Sequence, residues 1–421
     1  MTTSPTQHLF LLHLNNNHWA TTPPIPSATT FAMAFNGTRS SMMVPGKVSY
    51  QMTTVDTANP GPPLARRHAM NPRTWSRKLK LVAVVAFLVV LGVIIGAVVA
   101  AKKKSNPSYP NYSYLKYSIA DSYAGEDFFS NFDYVTDKSA TNGFVTYVSQ
   151  DTADSAQYNL TYASASSAVL RVDASETNAT DGRKSVRIIS KKTYNTGLFV
   201  FDIVHTPYGC ATWPALWLLD PSNWPANGEI DVIESVNQGT SGNQMTLHTT
   251  AGCTMDGTRE QTGTQLTTQC LNSTNGNSGC GVKGPADTFG PVFNANGGGI
   301  YAMELRSAGI RVWFFNRGSV PADLSNLATT ASTSTPNPTT WGEALADFPS
   351  TNCNIGNHFR NQSIVANIDL CGDWAGQTAI YSGADKCPGS SCNSYAATNA
   401  SAFDEAYWQW SGWWVFNAAG A

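Results

Sequence analysis

The part of the chain that follows Lys104 is predicted to be an all-β sandwich, on three observations. Short runs rich in β-branched and aromatic residues recur there: Val169 to Val172, Val186 to Ile189, Leu198 to Val204, Met245 to His248, Ile300 to Leu305, Ile310 to Phe315 and Ile364 to Leu370. Gly, Asn, Ser and Pro stretches separate them, the rhythm of antiparallel sheets with loops at their ends. No sustained helical period, internal repeat, Gly-rich phosphate loop or nucleophile elbow interrupts the pattern.

Ahead of it stand three other segments. Residues 1–78 are expected to be a disordered cytoplasmic tail, rich in Thr, Ser, Pro, Asn and Met without period; Met42, Met43 or Met70 would serve as a start as well as Met1. Residues 79–104 hold the uncharged run Leu81 to Ala101, long enough to cross a hydrocarbon core of about 30 Å. Six basic residues precede it (Arg66, Arg67, Arg73, Arg77, Lys78 and Lys80) and three follow (Lys102 to Lys104), so the larger cluster is expected to stay cytoplasmic. A cleaved signal peptide is the alternative, but its apolar region would be too long and its leading tail far too long. Residues 105–112, with Pro107 and Pro110, read as a stalk, and residues 113–421 as one domain.

Charge follows the same division. Residues 1–104 carry eleven Lys and Arg against the single acid Asp56, whereas residues 105–421 carry fifteen basic against twenty-seven acidic residues. An acidic domain repels phosphate backbones, so no nucleic-acid partner is expected; the basic residues bracket the apolar run and point to a membrane. All eight cysteines lie beyond that run, at 210, 253, 270, 280, 353, 371, 387 and 392. Their spacing lacks the close pairs of a zinc site and suggests up to four disulfides in an oxidising compartment. Six glycosylation sequons, at Asn111, Asn159, Asn178, Asn272, Asn361 and Asn399, lie on the same side. The expected setting is a single-pass type II membrane protein with its large domain extracellular or luminal.

The chemistry concentrates in NGEIDVIESVN, Asn227 to Asn237. Alternation along a strand puts Glu229 and Asp231 on one face and Glu234 on the other. One extra residue, a β-bulge near Val232 or Ile233, restores the parity and gathers all three acids. The glutamates then stand roughly 13 Å apart along the backbone, and inward-leaning side chains over a curved sheet would bring their carboxyl groups to about 5 Å. A solvated acidic face is the alternative reading. Crowded like charges raise one another's pKa and are tolerated mainly where that shift is used. Asn227-Gly228 suggests a tight turn into the strand.

Aromatic residues crowd the preceding segment: Trp213, Trp217 and Trp224. Flat rings suit the C–H faces of sugars, so their cluster beside carboxylates suggests a carbohydrate cleft, although each ring alone is as readily core. His248, on a neighbouring strand, is placed to bond a carboxylate or a sugar, or to serve the structure alone. Cys371 to Gly376, CGDWAG, offers Asp373 and Trp374 on a loop, and Ala406 to Phe416, AYWQWSGWWVF, reads as a buried strand.

Together these residues resemble glycoside hydrolase family 16, close to the fungal laminarinase-like endo-1,3(4)-β-glucanases. The matching segments are GLFVFDIVHTPYGCATWPALWLLD, WPANGEIDVIE, LHTTAGC, FNANGGGIYAMEL, VWFFNRGSVPADL, CGDWAG and FDEAYW, in order over nearly all of residues 113–416. The resemblance implies a β-jelly-roll (concanavalin-like) sandwich whose concave sheet forms a glucan groove. In the E-x-D-x-x-E pattern it makes Glu229 the nucleophile, Asp231 its assisting carboxylate and Glu234 the general acid/base. Trp217, Trp224, His248 and Trp374 match positions near the sugar subsites. The span between the glutamates is the bulged version of the motif; licheninase-like and plant transglycosylase-like members have one residue fewer. WQWSGWW replaces the more usual Trp-Glu-Ile-Asn-Tyr sort of strand, and the membrane segment departs from the many secreted members.

The expectation is therefore a retaining endo-β-glucanase acting on β-1,3- or mixed β-1,3/1,4-glucan in wall remodelling, with β-glucan and the membrane as partners and no cofactor or metal demanded by ligand spacing. A membrane-anchored transglycosylase for wall assembly is the first alternative, and a non-catalytic glucan-binding module the second. Loss of the glutamates would mark such a module, and here all three acids stand in register.

Overall fold

The computed structural model describes residues 75–102 and 108–420. The expected tail up to Thr74 with its alternative starts, the basic residues Arg66, Arg67, Arg73, Lys103 and Lys104, and stalk residues 105–107 lie outside the described residues.

Arg77–Lys102 is one helix of 26 residues, about 39 Å long at 1.5 Å per residue. Its sequence has no proline, and between Lys80 and Lys102 it carries no charge and is apolar all round. Leu81, Phe87 and Val93 each expose more than half of their surface. By length and composition this helix is able to cross a membrane.

The following domain is built from two eight-stranded antiparallel sheets. One runs in the order Thr264–Gln265, Cys280–Lys283, Gln244–His248, Glu229–Glu234, Thr212–Leu219, Ser363–Leu370, Arg187–Ser190, Phe132–Tyr134. The other runs Ala346–Pro349, Gly309–Asn316, Gly299–Arg306, Gly197–His205, Tyr407–Asn417, Ser167–Arg171, Thr161–Ser164, with Ser118–Tyr123 also on the Tyr407–Asn417 strand. Alternate residues of both sheets, among them Leu216, Leu218, Ile230, Phe199, Phe201 and Met303, meet in one buried cluster. This is a mostly β sandwich consistent with the jelly roll of family 16. The seven apolar runs all fall on strands, with edges displaced by a residue or so; Val186 sits in the gap between Arg183–Ser185 and Arg187–Ser190. Short edge strands such as Phe132–Tyr134 and Thr161–Ser164 were not expected, because three or four residues are too few to set up a recognisable period in the sequence.

The terminal strand is buried as expected. Trp408, Trp410 and Trp413 expose no surface, and Trp410 stacks on Phe128 at 5.6 Å while Trp413 meets Trp410 edge-on at 5.0 Å. All eight cysteines pair: Cys210–Cys387, Cys253–Cys353, Cys270–Cys280 and Cys371–Cys392. Cys371–Cys392 closes the 371–392 segment, which carries Trp374, on itself, and Cys210–Cys387 ties that segment to the residues just before the Thr212–Leu219 strand. Five sequon asparagines are exposed and Asn272 partly so.

Candidate active site

The Glu229–Glu234 strand lies inside its sheet, between Thr212–Leu219 and Gln244–His248. Glu229, Ile230 and Asp231 pair with His248, Leu247 and Thr246, but the next partner pair is Glu234 with Gln244. Against the other neighbour, Asp231 pairs with Trp217 and Ile233 with Leu216. Three residues thus oppose two, and the extra residue is Val232. Ile230, Val232 and Ile233 all enter the core cluster, which leaves Glu229, Asp231 and Glu234 on the opposite face. Parity and bulge fall where the spacing predicted.

Register carries the same face across the sheet. Opposite the acids stand His248, Thr246 and Gln244 on one side and Leu219, Trp217 and Ala215 on the other. The next strand adds Val365, Asn367 and Asp369, paired with Trp217, Ala215 and Trp213. The entry to the strand is a built turn. Gly228 has φ +72°, and a Cβ there would stand 2.3 Å from the His358 carbonyl, so only glycine fits. The Pro221–Asn227 loop before it is organised by Asp220, which accepts from Ser222 N–H at 2.9 Å, Asn223 Nδ2 at 3.0 Å and Asn227 Nδ2 at 2.7 Å. That loop holds Trp224 over the acids.

Each glutamate is held by an indole. Trp224 Nε1 donates to Glu229 Oε2 at 2.5 Å, and Trp213 Nε1 donates to Glu234 Oε1 at 2.7 Å. Asp231 is buried, with His248 Nε2 3.2 Å from its Oδ2 in an ion-pair contact. His248 Nδ1 lies 3.0 Å from Asn277 Oδ1, so an N–H there is accepted by the amide oxygen and both ring nitrogens can hold protons. Burial first, and the charge of Asp231 second, push Glu229 up to about 7 and Glu234 up to about 8. Burial alone would push His248 down. Its contact with Asp231, backed by the charges of Asp231, Glu229 and Glu234, outweighs that and lifts it to about 9. The glutamate pair therefore retains protons well above the usual carboxylate range.

The remaining aromatic residues frame the acids. Trp217 stands beside Asp231, its Nε1 donating to Asn367 Oδ1 at 2.7 Å and its ring covered by the Arg187 guanidinium at 4.9 Å. Trp374, on the short helix Gly372–Ala375, meets Trp213 edge to face at 5.7 Å and so reaches the Glu234 end. Trp224 is 42 % exposed, open enough to receive a ligand. Glu229, Asp231, Glu234, His248, Trp217, Trp224 and Trp374 thus gather at one side of one sheet. Sequence reasoning named Trp213 only as part of the aromatic cluster and missed Asn277, Asn367 and Arg187. Trp213 was findable, because it is four residues from Trp217 in the same strand and shares its face; the others come from distant segments and carry no local signal. Glu229, Asp231 and His248 also place one ligand atom each within 4.8 Å of one another, close enough to share a cation. The imidazolium already supplies positive charge there.

Comparisons with known proteins identify the family. The family profile described as "XgeA-like, catalytic GH16 domain" matches residues 132–416. A probable glycosidase of Schizosaccharomyces pombe is 44% identical over 304 residues, 71% of this chain and 69% of the relative. The endo-1,3(4)-beta-glucanase xgeA of Emericella nidulans is 37% identical over 303 residues, 70% of this chain but 46% of the relative, so this chain spans about half of that protein. Among solved structures, laminarinase 16A from Phanerochaete chrysosporium, with 6-O-glucosyl-laminaritriose in donor and acceptor sites, is similar at 46% identity and TM-score 0.67, over 72% of this chain and 100% of that one. An elongating family 16 beta-1,3-glucosyltransferase is similar at 36% identity and TM-score 0.65, again over 72% and 100%. With the sandwich, the bulged acidic strand and the match over residues 132–416 in hand, the chain belongs to glycoside hydrolase family 16 and carries the catalytic domain of a glycosidase.

Proposed function

We propose that the protein is a retaining endo-β-glucanase acting on β-1,3- or mixed β-1,3/1,4-glucan, with Glu229 as nucleophile, Glu234 as general acid/base and Asp231 as the carboxylate that orients and tunes them. The observation that carries this reading is the Val232 bulge, which turns two glutamates and an aspartate to one aromatic-lined face. Glu234 Oε1 is occupied by the Trp213 N–H, which leaves Oε2 to carry the proton. Glu229 Oε2 is occupied by the Trp224 N–H, which leaves Oε1 to attack. In the first step the ionised Glu229 carboxylate bonds to the anomeric carbon, the glycosidic C–O bond breaks and the leaving oxygen takes the proton that Glu234 carries. In the second, Glu234 takes a proton from water, the hydroxyl joins the anomeric carbon and Glu229 is released. Because the pair shares its charge with Asp231 and His248, the site titrates as a unit.

Trp217, Trp224, His248 and Trp374 serve as the sugar-contacting residues in this reading. The solved laminarinase with glucan in donor and acceptor sites supports β-glucan as the substrate class. Helix Arg77–Lys102 serves as a single-span anchor, with the N-terminus cytoplasmic and the catalytic domain outside or luminal, next to wall glucan. Purified full chain in detergent, given laminarin, lichenan and β-1,6-glucan with products sized, tests linkage and catalysis together. Undiminished turnover in Glu229→Ala or Glu234→Ala would sink the assignment. Protease protection of an N-terminal tag in sealed vesicles tests the topology; digestion of the tag from outside contradicts it.

A second reading is favoured by one observation, the similarity to an elongating β-1,3-glucosyltransferase over all of that chain. A sugar hydroxyl would then replace water in the second step. Labelled laminari-oligosaccharide acceptors distinguish the two: longer labelled products indicate transfer, and reducing ends alone indicate hydrolysis.

A further inference from the structure

The Val232 bulge places Glu234, and something must hold that bulge. An extra residue in a strand breaks the ladder and leaves backbone groups unpaired unless another group takes them. Here one side chain does so. Asn243, fully buried, accepts the Glu234 backbone N–H on its Oδ1 at 2.8 Å and donates from its Nδ2 to the Val232 carbonyl at 2.9 Å. A single primary amide thus bridges the two ends of the irregular step. Both hydrogen bonds need the amide as it stands, since no carboxylate donates and no ammonium accepts.

Asn243 is itself pinned. Its backbone N–H donates to Thr288 Oγ1 at 2.9 Å, and its carbonyl accepts from the Gly284 N–H at 2.8 Å. Gly242 before it has φ +82°, and a Cβ there would stand 2.2 Å from the Pro285 carbonyl, so the chain approaches this segment more closely than any side chain allows. Asn243 does not line the sugar face: the next residue, Gln244, pairs with Glu234, and Asn243 points into the sandwich beside the bulge.

We propose that Asn243 is the positioning residue for Glu234. Its amide holds the bulge in register and so fixes the Glu234 carboxyl against Trp213 Nε1, where it serves as acid and base. Without this clamp a regular ladder becomes available, and by strand alternation the regular ladder turns Glu234 away from the face of Glu229. The proposal rests on the acid/base assignment of Glu234 made above.

Two substrates separate positioning from general damage. Laminarin has a poor leaving group and needs the acid, whereas 2,4-dinitrophenyl β-laminaribioside has an activated leaving group and needs none for its first step. The full chain in detergent, wild type, Asn243→Ala, Asn243→Asp and Glu234→Ala, would be assayed on both, with and without azide. For Asn243→Ala the expected result is a kcat on laminarin lower by roughly 100-fold with KM within about twofold, since misplacement of a catalytic group costs on that order. The dinitrophenyl glycoside should still give a burst, and azide should restore its turnover and yield a β-configured glycosyl azide, as with Glu234→Ala. Asn243→Asp keeps the acceptor and loses the donor, so it should show the same signature at smaller size; it also serves if Asn243→Ala does not fold.

Equal losses on both substrates without azide rescue in both Asn243 variants, or full laminarin activity in both, would overturn the proposal. If Glu234→Ala itself lacks the burst and azide rescue, the fault lies in the assignment of Glu234 and not in the clamp.

Discussion

Two strands of this domain use one device for opposite ends. Glu229–Glu234 lies within one sheet and Tyr407–Asn417 within the other, and both carry a break in register. In the first, the extra residue Val232 keeps Glu229, Asp231 and Glu234 on the open face. In the second, Gln409 pairs with His205, Trp410 with Ile203 and Gly412 with Asp202, so Val204 is extra on the neighbouring strand and Ser411 is extra on this one. The consequence is that Trp408 and Trp410, then Trp413 and Val415, all enter the same core despite their mismatched parity. One irregularity gathers charge that the fold would be more stable without; the other gathers apolar surface that the fold needs. Function and stability should therefore separate cleanly between the two strands.

The largest expected effect breaks the first strand's chemistry. Glu229→Ala should lower kcat/KM on laminarin by roughly 10⁴-fold, with no fall in the urea midpoint. Next, Trp413→Ala, which empties a fully buried site, should destabilise the domain by about 3–5 kcal/mol, read from urea unfolding at unchanged m, while activity per folded molecule stays near wild type. A Trp413 variant that folds well yet has lost catalysis would contradict the separation.

Smaller effects sharpen the electrostatic half. Asp231→Asn removes a negative charge that, after burial, holds Glu229 and Glu234 up. Both limbs of the pH profile of kcat/KM should then move to lower pH. Stability carries the same signature. Glu229 and Glu234 rise from 4.5 to about 7 and about 8 in the folded protein, and His248 from 6.5 to about 9. In each case the folded state binds its proton more tightly than the unfolded chain. Their favourable contributions are complete below the unfolded values and are lost as pH climbs through the folded ones, so stability should fall between about pH 5 and 9. Glu234→Gln should flatten that fall by up to about 1.4 kcal/mol per pH unit between pH 5 and 8, measured by urea midpoints across the range.

How much of this was legible beforehand differs between the same two strands. In NGEIDVIESVN the three acids fall out of step by one residue, and that mismatch alone located the bulge. The terminal strand read as buried from its four tryptophans, yet its own bulge was hidden, because from Gly412 onward Trp413, Trp414, Val415 and Phe416 make either parity look apolar. The neighbours that set the site's chemistry were legible only where they shared a strand with a named residue, as Trp213 does with Trp217. Asn243, Asn277, Asn367 and Arg187 reach the site through pairings that local patterning does not encode.

The claim on which the rest depends is that one bulged strand presents a nucleophile and an acid/base to the same glycosidic bond. Proton NMR of the first product released from laminarin, recorded before mutarotation, tests it most directly. Two displacements at the anomeric carbon predict that the β-anomer of the new reducing end appears first and the α-anomer grows in later. An α-anomer released first would mean a single displacement by water, and Glu229 would not be a nucleophile.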